Sequence, residues 1–342
     1  MSVAIIGAGS LGTIIGALIA KNGGKAVLVD SNKEHVAALN TNGATITGKL
    51  ELKNIPVQAI TPEQMFGSYE IVLYLVKQMH NQVALQQLLP HLTENSVVCT
   101  LQNGVPEDAV ANVVGRKRTV GCAVGWGATW VNPGVSMLTS APEKMTYDLG
   151  ELDGATTERL QKVAKILSLA GTPEIVTNLP GVRWTKLLVN ATFSGMSAAL
   201  GATFGDILDN EKALSCAAHI ANETIQVAEA LGIILEPIQS HDLRVLAFKN
   251  QKEMESKFPF YHVVYGPHRL LRASMLQDLE KGYKCEVDAI NGVISAQGRN
   301  TGIATPVNDQ VVQIIKGIEN GQYAYALSNL EQITLPQLPL SC

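Results

Sequence analysis

The stretch Gly7-Ala8-Gly9-Ser10-Leu11-Gly12 limits what this chain can fold into more than any other. It follows the apolar run Val3-Ala4-Ile5-Ile6 and precedes a second, Thr13 to Ala20. That order predicts strand, tight turn and helix. Gly7 allows the turn, Gly9 lets backbone approach a pyrophosphate, and Gly12 lets the helix pack closely on the strand. The helix N-terminus then offers N–H groups and a positive dipole end to phosphates. The whole loop, with Ala8, Ser10 and Leu11, is thus a candidate phosphate cradle. A further apolar run, Ala26-Val27-Leu28-Val29, ends in Asp30. An acidic residue at the tip of the second strand is where a ribose 2′-hydroxyl is read. Dinucleotide binding follows as the expectation.

Length and composition narrow the class. With 342 residues the natural expectation is two domains. Charged residues at 16% and hydrophobic ones at 46% fit a globular enzyme and argue against disorder. The formal net charge of −4 gives no sign of a nucleic-acid surface. No apolar run reaches the length of a membrane span, and no signal peptide is recognised, so a cytoplasmic protein is expected. The five cysteines are far apart and lack CxxC spacing, as in reduced thiols. The seven histidines form no ligand pairing, so no metal is expected.

Taken in order, the front of the chain alternates strands and helices. Ser31 to Asn40 reads as a helix, and Thr41 to Ile60 as strands leading back into the sheet. Tyr69 to Val76 and Ser96 to Leu101 read as buried parallel strands. They end at Lys77 and at Gln102-Asn103-Gly104. In an open α/β sheet, ligands bind outside the carboxyl ends of the strands. Gly9, Asp30, Lys77 and Asn103 all fall at such ends. Thr119 to Val124 is a further strand, and Trp126 to Leu149 reads as hairpin material with a turn at Pro133-Gly134. A helix over 156–170 and a strand over 173–177 close the domain.

Beyond Asn178 the pattern is almost wholly helical, with helices expected over 182–200, 209–231, 239–249, 267–281, 285–300 and 310–317. The fold class is α/β: a Rossmann-type doubly wound sheet over residues 1–177, then an all-α domain over 178–342. Leu335 to Cys342 reads as a poorly ordered tail.

Two stretches in the second half carry chemistry-bearing side chains. In Trp184-Thr185-Lys186-Leu187-Leu188-Val189-Asn190, Lys186 and Asn190 share a helix face, and Ser194 extends it by one turn. A lone lysine in so apolar a helix needs an anionic partner or a ligand. In Ser274 to Asp288, Ser274 and Asp278 are again four apart, and Glu286 follows the break at Gly282.

GAGSLG, Lys77 after a buried strand, LQNGV around Asn103, WTKLLVN around Lys186, and SMLQDLEKGYKCEVD ending in Glu286 and Asp288 together resemble the ketopantoate reductase family. The resemblance covers nearly the whole chain in the right order. It implies Lys186 as the general acid that protonates the carbonyl oxygen, and Glu286 as the group that holds it. It implies that Asn103 and Asn190 orient substrate and nicotinamide, that Ser274 binds the substrate carboxylate with support from Asp278, and that Lys77 lies beside the cofactor. A homodimer through the helical domain is implied by resemblance alone.

Four positions depart from the family's pattern. Members acting on ketopantoate carry amides where this chain has Ser194, Phe204 and Leu271. A site with Phe and Leu in those places favours an apolar group over the hydroxyl of ketopantoate. NADP-using members place an arginine after the second strand, where this chain has Asp30-Ser31; NAD is therefore expected over NADP, with Lys33 nearby pulling the other way. The resulting expectation is NADH-dependent, reversible reduction of a branched or aromatic 2-oxo acid to a D-2-hydroxy acid. The alternatives are reduction of ketopantoate itself, or a non-catalytic dinucleotide sensor on the same fold. A sensor needs neither Lys186 nor Glu286.

Overall fold

The computed structural model describes residues 2–339. The chain divides into two compact units, one ending at Leu179 and the next beginning at Pro180.

The first unit is built on eight strands in the order β12-β11-β8-β7-β6-β1-β2-β5. They are β1 (Val3–Ile6), β2 (Val27–Val29), β5 (Gln58–Ile60), β6 (Tyr69–Tyr74), β7 (Leu92–Thr100), β8 (Thr119–Val124), β11 (Thr146–Gly150) and β12 (Thr172–Ile175). All neighbouring pairs are parallel except β8 with β11. Both faces of this sheet are covered, which is why its strands read as unbroken apolar runs. Ile5, Ile71 and Leu73 feed one core, while Ala4, Val72 and Tyr74 feed the other. The α-helices of this unit among the described residues are α1 (Ser10–Lys21), α2 (Lys33–Asn42), α3 (Asn81–Leu88), α4 (Glu107–Val114) and α5 (Glu158–Leu167).

The expectation for Thr41 to Ile60 is only partly met. β5 joins the main sheet, but β3 (Ala44–Gly48) and β4 (Leu52–Ile55) form a separate sheet with the hairpin β9 (Ala128–Asn132) and β10 (Val135–Leu138), in the order β4-β3-β10-β9. This second sheet packs on α1. It explains why α1 is buried without a break from Gly12 to Ile19, a pattern no solvent-facing helix shows. Thr146 to Gly150, read as hairpin material, instead pairs with β8 in the main sheet.

The second unit is helical. α6 (Leu179–Val189) runs through a π-helical turn (Asn190–Ser194) into α7 (Gly195–Leu200). α8 (Phe204–Asp209), α9 (Glu211–Ala230), α10 (Gln251–Tyr265), α11 (Ser274–Glu280), α12 (Asn291–Thr301) and α13 (Pro306–Glu319) follow. Three expectations fail here. In place of the helix expected over 239–249, Ile238 and His241 form a β-bridge and Leu243–Leu246 a 3-10 turn. Gln239 and Ser240 have φ of 48° and 66°, which no helix tolerates. The long helix lies next door: Asn250 caps α10 by accepting from the Glu253 N–H, and Pro259 sits inside it. The helix expected from Pro267 begins only at Ser274, and the one expected from Cys285 only at Asn291. The tail expected from Leu335 runs past the last described residue; 340–342 lie outside the described residues. No helix among the described residues is long and apolar enough to cross a membrane.

Candidate active site

In the first unit the candidate residues lie at strand ends around the place where the strand order reverses. β1 leads outward to β2 on one side and is flanked by β6, with β7 beyond it, on the other, and that switch point is where α/β sheets bind ligands. Gly7 has φ of +91°, and a Cβ there would lie 2.7 Å from the Val76 nitrogen. At Gly12 a Cβ would lie 2.4 Å from the Gly7 carbonyl oxygen. At Gly9 a Cβ would meet nothing within 4 Å. Packing inside the protein therefore demands the first and last glycines. The middle one opens onto free space, as close approach by a pyrophosphate requires. Gly9 is also the N-cap of α1, with no side chain capping it. Ala8 lies beneath the loop, and Ser10 and Leu11 form the first helical turn.

Asp30 is half-buried at the end of β2, and its Oδ1 accepts from the Asn32 N–H at 2.9 Å. Ser31 beside it is exposed. Lys77 and Asn103 are both half-buried. Their loops are tied together by Gln78, whose Nε2 donates to the Asn103 carbonyl at 2.5 Å. Gln102 strengthens the tie by donating to the Val76 carbonyl and to Asn81 Oδ1, an oxygen that also accepts from the Tyr74 hydroxyl. Sequence reasoning picked out Lys77 and Asn103 but missed Gln78, Gln102 and Asn81. Three amides clustered at two strand ends are the signal that was available.

In the second unit Lys186 is half-buried on α6, one turn before Asn190, with Thr185, Leu187 and Leu188 buried around it. The π turn begins at Asn190 and ends at Ser194. Its defining bond runs from the Gly195 N–H to the Asn190 carbonyl. π turns are rare and concentrate at functional sites. This one is held from outside. The Asn291 amide donates to the Ala191 carbonyl at 3.1 Å and to Asn308 Oδ1 at 2.9 Å. Asn308 Nδ2 donates to Glu223 at 2.7 Å, and the Val307 and Asn308 N–H groups donate to the same carboxylate at 2.9 and 3.0 Å. Glu223 thus caps the N-terminus of α13. Burial pushes its carboxyl up to about 7, against the pull of those three donors. None of Glu223, Asn291 and Asn308 was singled out from the sequence, because their partners are remote in the chain.

Ser274, exposed, opens α11, which packs on α7 and on the π turn. The Ala273 N–H donates to Ser197 Oγ at 3.3 Å, so Ser274 enters one turn beyond Ser194. The Phe204 N–H donates to the Leu271 carbonyl at 3.1 Å, which gathers Phe204, Leu271 and Ser274 at the same corner. Leu271 is 44% exposed. The Phe204 ring points away from solvent. It is 5% exposed and lies 5.1 Å from the ring of Phe193, which stacks on Tyr265 at 3.9 Å. An aromatic ring with such neighbours belongs to the core. Glu286 is half-buried and precedes a 3-10 turn, Val287–Ala289, rather than standing in the first turn of α12. Asp288 pairs with Lys316 at 2.5 Å.

Comparison with known proteins decides the family. The sequence model described as "Ketopantoate reductase PanE/ApbA" matches residues 3–154, and that described as "Ketopantoate reductase PanE/ApbA C terminal" matches residues 178–319. The chain belongs to the ketopantoate reductase family. A 2-dehydropantoate 2-reductase of Archaeoglobus fulgidus is 30% identical over 320 residues, covering 93% of this chain and 98% of that one. One of Pyrococcus abyssi is 28% identical, with the same coverage. Among solved structures, a D-mandelate dehydrogenase with NADH and anilino(oxo)acetate superposes with a TM-score of 0.82 at 23% identity, over 94% of this chain and 99% of that one. A PanE/ApbA family ketopantoate reductase from Ralstonia eutropha superposes with a TM-score of 0.80, at the same identity and coverage. As a ketopantoate reductase family member the chain is an oxidoreductase acting on CH–OH groups with a nicotinamide dinucleotide. The open cradle above Gly9 fits that cofactor.

Proposed function

We propose that the protein reduces ketopantoate to pantoate, with Lys186 as proton donor. The observation that carries the reaction class is Lys186 and Asn190 on one face of a helix that runs directly into a π turn ending at Ser194. The substrate reading is supported by the similarity of nearly the whole chain to the Archaeoglobus 2-dehydropantoate 2-reductase.

The cofactor, when bound, supplies the hydride. The hydride forms a new C–H bond at C2 of the 2-oxo acid while the carbonyl π pair moves to oxygen. The Lys186 ammonium releases one proton to that oxygen, and its charge stabilises the developing alkoxide beforehand. Glu286 is the group we assign to hold Lys186. Asn103 and Asn190 orient the reactants, and Ser274 takes the carboxylate. Asp30 takes the ribose hydroxyls, which favours NADH.

A second reading has its own support. Ser194 and Leu271 stand where ketopantoate-specific relatives have amides, so a branched aliphatic or phenyl 2-oxo acid would meet an apolar leucine and a short serine there in place of amides. Competing ketopantoate against phenylglyoxylate in one NADH-oxidation assay separates the two. Ketopantoate is expected to win in kcat/KM. A tenfold advantage for the phenyl acid would move the assignment to the second reading, and no turnover with either would remove both.

A further inference from the structure

His35 is 1% exposed and stands in the first turn of α2, against the inner side of the glycine loop. Its ring makes three polar contacts. Nδ1 lies 2.9 Å from the Gly134 nitrogen. Nε2 lies 2.7 Å from the Ala8 carbonyl oxygen and 3.1 Å from Thr13 Oγ1. A main-chain N–H can only donate, so Nδ1 must accept from Gly134. The ring is then neutral, and its one proton sits on Nε2. That proton goes to the Ala8 carbonyl. The same oxygen accepts from the Thr13 hydroxyl at 2.7 Å.

The Ala8 carbonyl shares a peptide plane with the Gly9 N–H. In a trans peptide the two point in opposite directions. A carbonyl drawn inward by His35 and Thr13 therefore turns the Gly9 N–H outward. Gly9 itself borders open space, since a Cβ added there meets nothing within 4 Å. We infer that His35 is a positioning residue for the dinucleotide: it fixes the Ala8–Gly9 peptide so that the Gly9 N–H faces the pyrophosphate. A flipped peptide would present a carbonyl oxygen to that anion instead. Gly134, in the turn between β9 and β10, holds the ring in the required tautomer. The second sheet thereby contributes to the cofactor loop.

The inference rests on dinucleotide binding at this loop, so wild-type affinity for NADH and NADPH is measured first, by quenching of protein fluorescence. Binding of neither would overturn both that reading and this one. Two variants then divide the ring's functions. His35→Gln places a donor near the position of Nε2 and can still reach Ala8. His35→Asn places an acceptor near the position of Nδ1, keeps Gly134 and abandons Ala8. His35→Gln is expected to bind the preferred dinucleotide within about threefold of wild type, and His35→Asn about tenfold more weakly. Thermal unfolding is followed alongside, because a purely structural role predicts affinity losses that track the two melting temperatures. Equal affinities, parallel losses or the reverse order would overturn the assignment. If either variant fails to fold, Thr13→Val removes the other donor to the Ala8 carbonyl, and unchanged affinity there would overturn it as well.

Discussion

The side-chain amide of Asn291 donates to the main-chain carbonyl of Ala191 across 3.1 Å, inside the π turn that runs from Asn190 to Ser194. Gly195 makes room for it: a Cβ there would lie 2.6 Å from Asn291 Oδ1. Asn291 is fully buried, and its second proton goes to Asn308. Replacing it by alanine leaves the Ala191 carbonyl and Asn308 Oδ1 without this donor. Each such buried group costs on the order of 1–3 kcal/mol. Asn291→Ala is expected to lose at least ~2 kcal/mol in denaturant unfolding, with kcat falling while NADH affinity holds. Unchanged kcat in a folded variant would show that the π turn keeps its shape unaided.

Glu223 sits at the other end of this chain of amides. Both its oxygens accept, so Glu223→Gln must turn an NH₂ group toward a main-chain N–H. The variant is expected to be less stable than wild type. The gap should also depend on pH. Burial raises the carboxyl from 4.5 to about 7, so the folded state holds the proton more tightly than the unfolded chain does. The stability linked to that proton is complete below about 4.5. It is lost as pH rises through about 7, over a span of at most ~3 kcal/mol. Denaturant midpoints of both proteins at pH 5 and pH 8 test the sign. The gap is expected to narrow toward pH 8; a widening gap would show that the three donors outweigh burial.

The two halves of the chain were unequally readable. β1, α1 and β2 follow from local chemistry, because a glycine-rich turn between two apolar runs has few alternatives. Lys77 and Asn103 were visible as strand ends. The second sheet was not, since β3 meets β10 across some ninety residues and no local pattern encodes that pairing. In the helical unit, α10 was missed because Pro259 and a weakly amphipathic sequence hide it. Its start depends on an Asn250 cap that only the structure reveals. The π turn was invisible for a related reason. Its sequence is ordinary helix, and what supports it from outside is Asn291, a hundred residues away, bonded to the Ala191 carbonyl.

Asp30 is expected to set the cofactor preference. It ends β2, and one of its oxygens is engaged by the Asn32 N–H. A carboxylate at this place pairs with ribose hydroxyls and repels a 2′-phosphate. Wild type should therefore show a higher kcat/KM with NADH than with NADPH. Asp30→Ala combined with Ser31→Arg should narrow or reverse the ratio, since Ser31 is exposed and an arginine there has room. A wild-type preference for NADPH would count against Asp30 as the ribose reader and turn attention to Lys33.

Lys186 carries the heaviest chemical burden of any residue in the proposed reaction. It is half-buried on α6, where Arg183 one turn earlier is fully buried and Thr185 Oγ1 donates to the Gly181 and Glu236 carbonyls. A positioned general acid contributes about 10²–10⁴-fold to turnover. Lys186→Ala is expected to lower kcat by that order. Affinity for NADH should be retained, because the glycine loop belongs to the other compact unit and folds around its own core. Two measurements keep the outcome specific: NADH binding at equilibrium, and rescue of turnover by added primary amines, which can restore a proton donor but not a lost fold. Rescue should rise with amine concentration in Lys186→Ala and be absent in wild type. Near-normal turnover in the variant would reduce Lys186 to a charge on a helix and leave the reaction without its acid.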